Sequence, residues 1–410
     1  MGLGVDMPDD ELRVSSLELF FDLVFVFTLT QLSTALYTHL SALGALRVVL
    51  VFLVLWWIYG GYAWLTNAVP PTTHARRLLL LAGMAAFLVI ALAIPGAFGG
   101  TGVAFGLAYL AVVVVHGGLY TLAMPFGGVV RFSGLNALAA LLLVAAGLVH
   151  GNGPVAGLLR YGSWILAVLL EFVTPYLFAL DAPLRVRIGH FVERHGLLLL
   201  IAFGESVVAI GIGIQSGAGG PALNPELAGA ALLGLALAAA LWWSYFGGDE
   251  ERAALALRAA PAAEQPRLAL AAYFFSYIPM LLGVITLAVG VKGSIGHLTE
   301  PLTAGSAVAL GAGVALYLFG DVAFRRVLRT GAVAARLAAA LLALATVPLG
   351  QERALAQLLV LLVLLIAMLV AEAALPALGG RGRGLGAGTD QGLAGRGRGS
   401  AGAGGSGGDG

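Results

Sequence analysis

The chain has 410 residues, 60% of them hydrophobic and only 10% charged, with a formal net charge of +1, whereas soluble domains carry roughly 25% charged residues. So little charge cannot cover a water-facing surface, and the mean hydropathy of +0.97 makes the lipid bilayer the partner this composition demands. A single lysine, Lys292, and near-neutral charge exclude a nucleic-acid face, which needs clustered Lys and Arg. The absence of Cys excludes disulfides and thiolate metal sites.

The N-terminal segment, residues 1–16, is acidic through Asp6, Asp9, Asp10 and Glu11 and lacks the basic start of a secretory signal. It is expected to remain cytoplasmic. A membrane-spanning helix needs about 20 mostly apolar residues, and twelve stretches separated by short polar or Gly/Pro breaks meet that need. They are Leu17–Leu40, Leu43–Thr66, Leu78–Phe98, Val103–Ala123, Phe132–Val149, Leu158–Leu180, Phe191–Gln215, Leu227–Phe246, Leu268–Val291, Leu302–Phe324, Val333–Leu349 and Ala354–Leu375. With that count, all but four of the 22 Lys and Arg residues fall on the side of the N-terminus, the exceptions being Arg47, Arg160, Lys292 and Arg353. Positive loops stay inside, so both termini are expected in the cytoplasm. Residues 377–410, rich in Gly, Ala and Arg, have almost nothing apolar to bury and are expected to form a disordered tail.

An internal repeat is legible. Trp56-Trp57-Ile58-Tyr59-Gly60 near the end of the second stretch returns as Trp242-Trp243-Ser244-Tyr245-Phe246-Gly247 near the end of the eighth. Glu18, opening the first stretch, aligns with Glu193, opening the seventh, and Arg77 before the third meets Arg267 before the ninth. The expected fold is therefore an all-α polytopic membrane protein of about twelve transmembrane helices in two parallel six-helix repeats, 17–180 and 181–376, related by an axis along the membrane normal.

An ionised group at the bilayer centre costs at least about 2.5–3.5 kcal/mol, so each one needs a partner, a proton or a hydrated cavity. Two carboxylates sit deepest, Glu171 and Glu205. They are expected to be protonated and hydrogen-bonded, or to line a path where a proton or cation neutralises them. Glu18 and Asp22, four residues apart, share a helical face and require a bridging cation, a shared proton or an Arg from another helix. Arg194 is the natural donor, because it occupies the matching depth at the start of the seventh stretch. His190, Glu193, Arg194 and His195 form a polar cluster there, with His190 and Arg194 on one face. The spacing lacks an i, i+4 His pair, so a metal site is not expected, and His116 reads as an interior hydrogen-bonding residue. Trp56, Trp57, Tyr59, Tyr62 and Trp64 are expected to mark the membrane interface. Gly204, just before Glu205, suggests a locally opened helix with free carbonyls beside the carboxylate.

Val14-Ser15-Ser16-Leu17-Glu18-Leu19-Phe20-Phe21-Asp22-Leu23-Val24-Phe25-Val26-Phe27, together with His190-Phe191-Val192-Glu193-Arg194-His195-Gly196 and Phe203-Gly204-Glu205-Ser206, resembles the bacterial low temperature requirement A family over the whole helical region. The resemblance implies a polytopic bacterial membrane protein and supplies no substrate or reaction. In a second likeness, Phe21-Asp22-Leu23-Val24-Phe25 followed by Thr28 or Thr30 resembles the first-helix Phe-Ser-Asp motif of a potassium channel family built from six-helix repeats, with Phe21 in place of Ser.

The sequence thus leads to a secondary transporter or permease-like protein of the cytoplasmic membrane. Its candidate ion, proton or small-molecule site is drawn from Glu18, Asp22, Glu171, Glu193, Arg194 and Glu205. The alternatives are a cation channel lined by the first and seventh helices, or a membrane stress-response protein that transports nothing. Enzymatic and cofactor chemistry is not expected, since no nucleophile elbow, His-Glu-x-x-His or phosphate-binding Gly-Lys-Ser/Thr loop is present. The sequence assigns no oligomeric state.

Overall fold

A computed structural model describes residues 14–121, 126–177, 186–216 and 224–384, and all regular structure among them is helical. In chain order the helices are α1 (Ser16–Thr38), α2 (Ala42–Ala68), α3 (His74–Ala93), α4 (Gly102–Thr121), α5 (Phe126–Leu148), α6 (Pro154–Leu177), α7 (Ile188–Ser216), α8 (Pro225–Phe246), α9 (Asp249–Ala259), α10 (Gln265–Ala269), α11 (Tyr277–Ser294), α12 (Ala304–Leu328), α13 (Ala334–Ala345), α14 (Val347–Glu352) and α15 (Ala354–Gly384). A 3₁₀ turn, Ile94–Gly96, follows α3, and a π-helical turn, Leu270–Phe275, joins α10 to α11. The acidic N-terminal residues and 385–410 of the expected tail lie outside the described residues. The chain divides into two units, Met1–Met368 and Leu369–Gly410. The second holds the end of α15, which runs to Gly384, past the point where composition places the start of the tail. The candidate site residues all belong to the first.

Local sequence explains where helices begin. Ser15 and Glu18 form a capping box at α1, and Ser41, Thr73, Asn224 and Thr303 cap α2, α3, α8 and α12 through their side chains. Gly248, at φ +125°, separates α8 from α9, a conformation that excludes a β-carbon at little cost only for glycine. Helix α9 was not foreseen. It is a short amphipathic helix with three acidic residues in its first turn and Ala253 and Leu257 buried.

Among the described residues ten helical stretches are long and apolar enough to cross a membrane. Each of the twelve predicted stretches overlaps helix over most of its described length, but α5 and α7 are not among the ten. The clearly apolar part of α5 is Ser133–Leu148, and α7 carries Glu193, Arg194 and Glu205. The eleventh predicted stretch breaks into α13 and α14 just before Pro348, which has no N–H to continue the helix. Large apolar side chains point outward: Leu78, Val114, Leu158, Leu232 and Val363 are each at least 64% exposed, as suits contact with lipid. Inside, small residues let backbones touch. A β-carbon at Gly313 would lie 2.5 Å from Leu287 N across the α11–α12 crossing.

Two features position the site. The first is the pairing of α1 with α7. Glu18 meets His190, Asp22 meets Arg194, and Thr30 and Ser33 both meet Glu205, so residues contact at sequence separations of 172 to 175. A near-constant separation means that the two helices run parallel and in register. The second is the π turn, where Ser276 N donates to Ala271 O at 3.2 Å and Phe274 O accepts Trp56 Nε1 of α2 at 3.0 Å.

The expected aromatic belt is overturned for four of its five residues. Trp56, Trp57, Tyr59 and Tyr62 are buried against neighbouring helices, with Trp56 stacked on Tyr59 and Phe274, whereas Trp64 is half-buried beside Phe191. Their polar atoms are taken by protein partners: Trp57 Nε1 donates to Asn136 Oδ1 at 2.7 Å and Tyr62 OH to Val112 O at 3.0 Å. The expected opening of the helix at Gly204 is also absent, since α7 runs unbroken through it.

Candidate functional site

The capping box that starts α1 turns the Glu18 side chain toward the α7 seam, and the next turn brings Asp22 onto the same face. Glu18 Oε2 accepts from Ser15 Oγ at 2.7 Å and from Ser15 N at 3.0 Å. From α7, Arg194 Nη1 reaches Glu18 Oε1 at 3.3 Å, while its Nη2 and Nε grip Asp22 at 2.9 and 3.4 Å. This is a fork on one carboxylate and a single contact on the other. Thr66 Oγ1 of α2 also accepts from Arg194 Nη1, and Tyr59 OH donates to Asp22 Oδ1 at 2.9 Å. The side chains of Arg194, Glu18 and Asp22 are at most 3% exposed.

The state of His190 follows from its neighbours. Arg187 N donates to Asn67 Oδ1 at 3.0 Å, which fixes the amide so that Asn67 Nδ2 faces His190 Nδ1 at 3.2 Å. Nδ1 is then an acceptor and Nε2 carries the hydrogen that points at Glu18 Oε2, 3.3 Å away. Two carboxylates share one guanidinium here, and the N-terminal ends of α1 and α7, which lie together at this point, each present about half a positive charge toward them.

The six residues predicted for the site separate into groups. Glu18, Asp22 and Arg194 are brought together as the shared faces required. Glu193 is not with them: it is half-buried, accepts from Val14 N at 3.4 Å and lies near Glu250. One residue along a helix turns the side chain by about 100°, so Arg194 and Glu193 cannot both enter the seam.

Glu205 lies on the same pair of helices, eleven residues beyond Arg194 and so about 16 Å farther along α7. Its Oε2 faces Thr30 Oγ1 and its Oε1 faces Ser33 Oγ, both at 2.5 Å. Lys292 at the end of α11 acts on it electrostatically. Ser33 Oγ is also 3.0 Å from Thr30 O. A hydroxyl has one hydrogen, and here it faces two acceptors. All contacts are satisfied when the Glu205 carboxyl carries a proton, which it gives to Ser33 while Ser33 gives its own to the backbone.

Glu171 of α6 repeats the pattern. Its Oε1 is 2.5 Å from Tyr109 OH, which also lies 3.2 Å from Val54 O, and its fully buried Oε2 has no partner among the described residues. Again one hydroxyl hydrogen faces two acceptors, and a proton on the carboxyl completes the chain from Glu171 through Tyr109 to Val54.

One charged cluster escaped the sequence reading. Asp249 opens α9, and its Oδ2 meets Arg325 Nε of α12 at 2.8 Å and Arg336 Nη1 of α13 at 2.9 Å. Arg336 also pairs with Asp321 of α12 and donates to Ser244 O at 2.7 Å. Asp249 and Asp321 are fully buried and Arg336 nearly so. Asp321 was visible as a carboxylate inside the tenth predicted stretch.

Residues 13–373 match the sequence profile of the family described as bacterial low temperature requirement A protein. The chain is 31% identical over 331 residues to an uncharacterized protein of Rhizobium meliloti (strain 1021), a match covering 78% of each chain. The Glu18–Asp22–Arg194 cluster, Glu171, Glu205 and the Asp249–Asp321–Arg336 cluster all fall inside the matched region.

Proposed function

Since the chain belongs to the bacterial low temperature requirement A family, and its deepest carboxyls share one hydrogen-bonding pattern, we propose that it is a secondary transporter of the cytoplasmic membrane linked to protons at Glu205 and Glu171. The observation that carries this is the Glu205 carboxyl set between the Thr30 and Ser33 hydroxyls on the α1–α7 seam, a pocket in which a proton on the carboxyl lets Ser33 serve both Glu205 and Thr30 O. Losing that proton leaves a charge in a low-dielectric seam with no cation in contact among the described residues. Protonation therefore decides whether the seam is stable as it stands.

We place twelve spans in two six-helix halves with both termini cytoplasmic. The parallel run of α1 and α7 supports this, because parallel spans need an even number of crossings from one to the next. Counting α5 with α1–α4 and α6 gives six. Three of the four exceptional cations support the orientation, because they gather at one end: Lys292 stacks on Tyr37 at 4.4 Å, Arg47 bonds Tyr161 at 2.8 Å, and Arg160 reaches Val149 O at 2.8 Å. A carrier is favoured over a channel along the first and seventh helices because both are packed shut: Phe25, Leu29, Leu198, Leu199 and Ala202 on them are fully buried, Phe25 against Trp56, Tyr59 and Phe87.

Infrared difference spectra of the reconstituted protein between acid and alkaline buffer test the proton linkage without a known substrate. Two protonated-carboxyl C=O bands are expected, one lost in Glu205→Gln and the other in Glu171→Gln. If neither substitution removes a band, the proton linkage is wrong.

A further inference from the structure

At the end of the α1–α2 hairpin remote from Arg194, a cavity of about 180 Å³ opens between the last turns of α1, the first turns of α2 and the Ile94–Gly96 turn. Leu32, Val48, Val51 and Ile94 form its apolar wall, and Arg47 and His39 supply its polar groups. Arg47 is held in place rather than waving at a surface. Its Nε donates to Tyr161 OH at 2.8 Å, and its guanidinium lies 5.6 Å from the Phe98 ring centre and 5.9 Å from that of Tyr161. Phe98 itself stacks on Trp164 at 4.7 Å. The hydrogen bond and the stacked Phe98–Tyr161 pair beside it thus hold the guanidinium at the cavity edge. Its two terminal nitrogens have no partner among the described residues, and it makes no ion pair there.

We propose that this cavity binds a small organic carboxylate with a compact apolar body. Four guanidinium hydrogens remain after the bond to Tyr161, and a carboxylate takes two of them in the fork geometry that arginine favours. Low surrounding polarity strengthens such a pair. The size sets the class, because an apolar cavity of about 150 Å³ holds a benzene ring, and this one is slightly larger and has a cation at its edge. His39, on the rim, adds a second donor. An arginine that merely reached for lipid phosphate would extend along apolar surface with its head free, not be tied to the Tyr161 hydroxyl beside the stacked Phe98 and Tyr161 rings at the edge of a cavity. The inference is independent of the proton linkage: the cavity lies on Leu32 and Ala35 of α1, whereas Glu205 is met by Thr30 and Ser33.

The test is calorimetric titration of the full chain in phosphatidylcholine nanodiscs with benzoate, and with benzamide as its uncharged counterpart. Saturable binding of benzoate, absence of benzamide binding and a loss of about tenfold or more in Arg47→Gln are expected, with Arg47→Lys intermediate because it offers a point charge and no fork. Ala35→Leu, which leaves the arginine intact and fills the cavity, is expected to abolish binding, and it decides the matter if Arg47→Gln does not fold. No benzoate binding to the unsubstituted protein, equal affinity in Ala35→Leu, or equal binding of benzamide overturns the proposal. So does Arg47-dependent retention of phosphatidylglycerol in native mass spectra without benzoate binding, which assigns the site to a lipid headgroup.

Discussion

Replacing Arg194 with Gln removes the one guanidinium that, among the described residues, meets two buried carboxylates, while keeping a side chain of similar reach. Asp22, fully buried, loses its forked partner and keeps Tyr59; Glu18 keeps Ser15 and His190 but loses its ionic contact. Deleting one partner of a buried ion pair costs about 3–5 kcal/mol, because the remaining charge is left without compensation. Asp22→Asn alone is expected to cost less, about 1–3 kcal/mol, since Glu18 still faces Arg194 and Tyr59 OH can donate to the amide oxygen. The double variant carries no uncompensated charge at Asp22, so its cost should fall short of the sum of the two by about 1.5–3 kcal/mol. Reversible unfolding in mixed micelles, followed by helical circular dichroism, measures all four corners of the cycle. The coupling should also persist in high salt, because ions do not screen a pair shielded from solvent. Additivity within about 0.5 kcal/mol, or a coupling that vanishes with added salt, would show that Arg194 does not hold the two carboxylates together.

Trp56→Phe keeps an aromatic ring to stack but removes the donor to Phe274 O, so about 1–3 kcal/mol should be lost and amide exchange should rise at Leu270–Phe275; unchanged exchange there would mean that the π turn does not depend on this bond. Arg336→Met should cost about 3–5 kcal/mol by stranding Asp321, and adding Asp321→Asn should restore most of it, as read by the same unfolding assay; no restoration would mean that packing, not charge, is what Arg336 supplies. Ser33→Ala leaves Glu205 with Thr30 alone and should shift the Glu205 C=O infrared band to higher frequency, as expected when a protonated carboxyl loses its acceptor. A band that does not move would place its proton elsewhere.

Much of the framework was legible because lipid imposes a simple rule: a spanning segment must be long, apolar and helical, and charges inside it must be paired. The i, i+4 spacing of Glu18 and Asp22 and the matching depth of Arg194 were enough to assemble that cluster. Tyr59 and Trp56 were misjudged because composition cannot tell an aromatic facing the headgroup region from one wedged between helices. Only the position of α2 against α1 and the π turn distinguishes them. The π turn itself leaves no mark in a sequence as ordinary as Leu-Ala-Ala-Tyr-Phe-Phe. Gly204 was read as a break because a carboxylate beside a glycine suggests freed carbonyls, whereas Glu205 is served by two hydroxyls on the neighbouring helix. Asp249, Asp321 and Arg336 come from three separate helices, so no spacing links them.

The α1–α7 seam joins these elements into one device. Because the two helices are parallel and in register, any sliding or rotation of one against the other must disturb the Arg194 cluster and the Glu205 pocket together, although they lie about 16 Å apart. The two differ in what they resist. The Arg194 cluster is held by ionic contacts from one guanidinium together with two helix ends, so opening it strands buried charge. On the proposed proton linkage, the Glu205 pocket holds together through a proton, a group that can leave. Opening the seam at Glu205 would then require less than opening it at Arg194, and α1 would pivot about the Arg194 end. The Trp56 bond to the π turn lies on α2, which supports α1 through Tyr59, and a π turn can return to α-helical geometry by shifting one hydrogen-bond register. On the same proposal, deprotonation of Glu205 would favour movement of α1 at the end of the molecule where Arg47 faces its cavity.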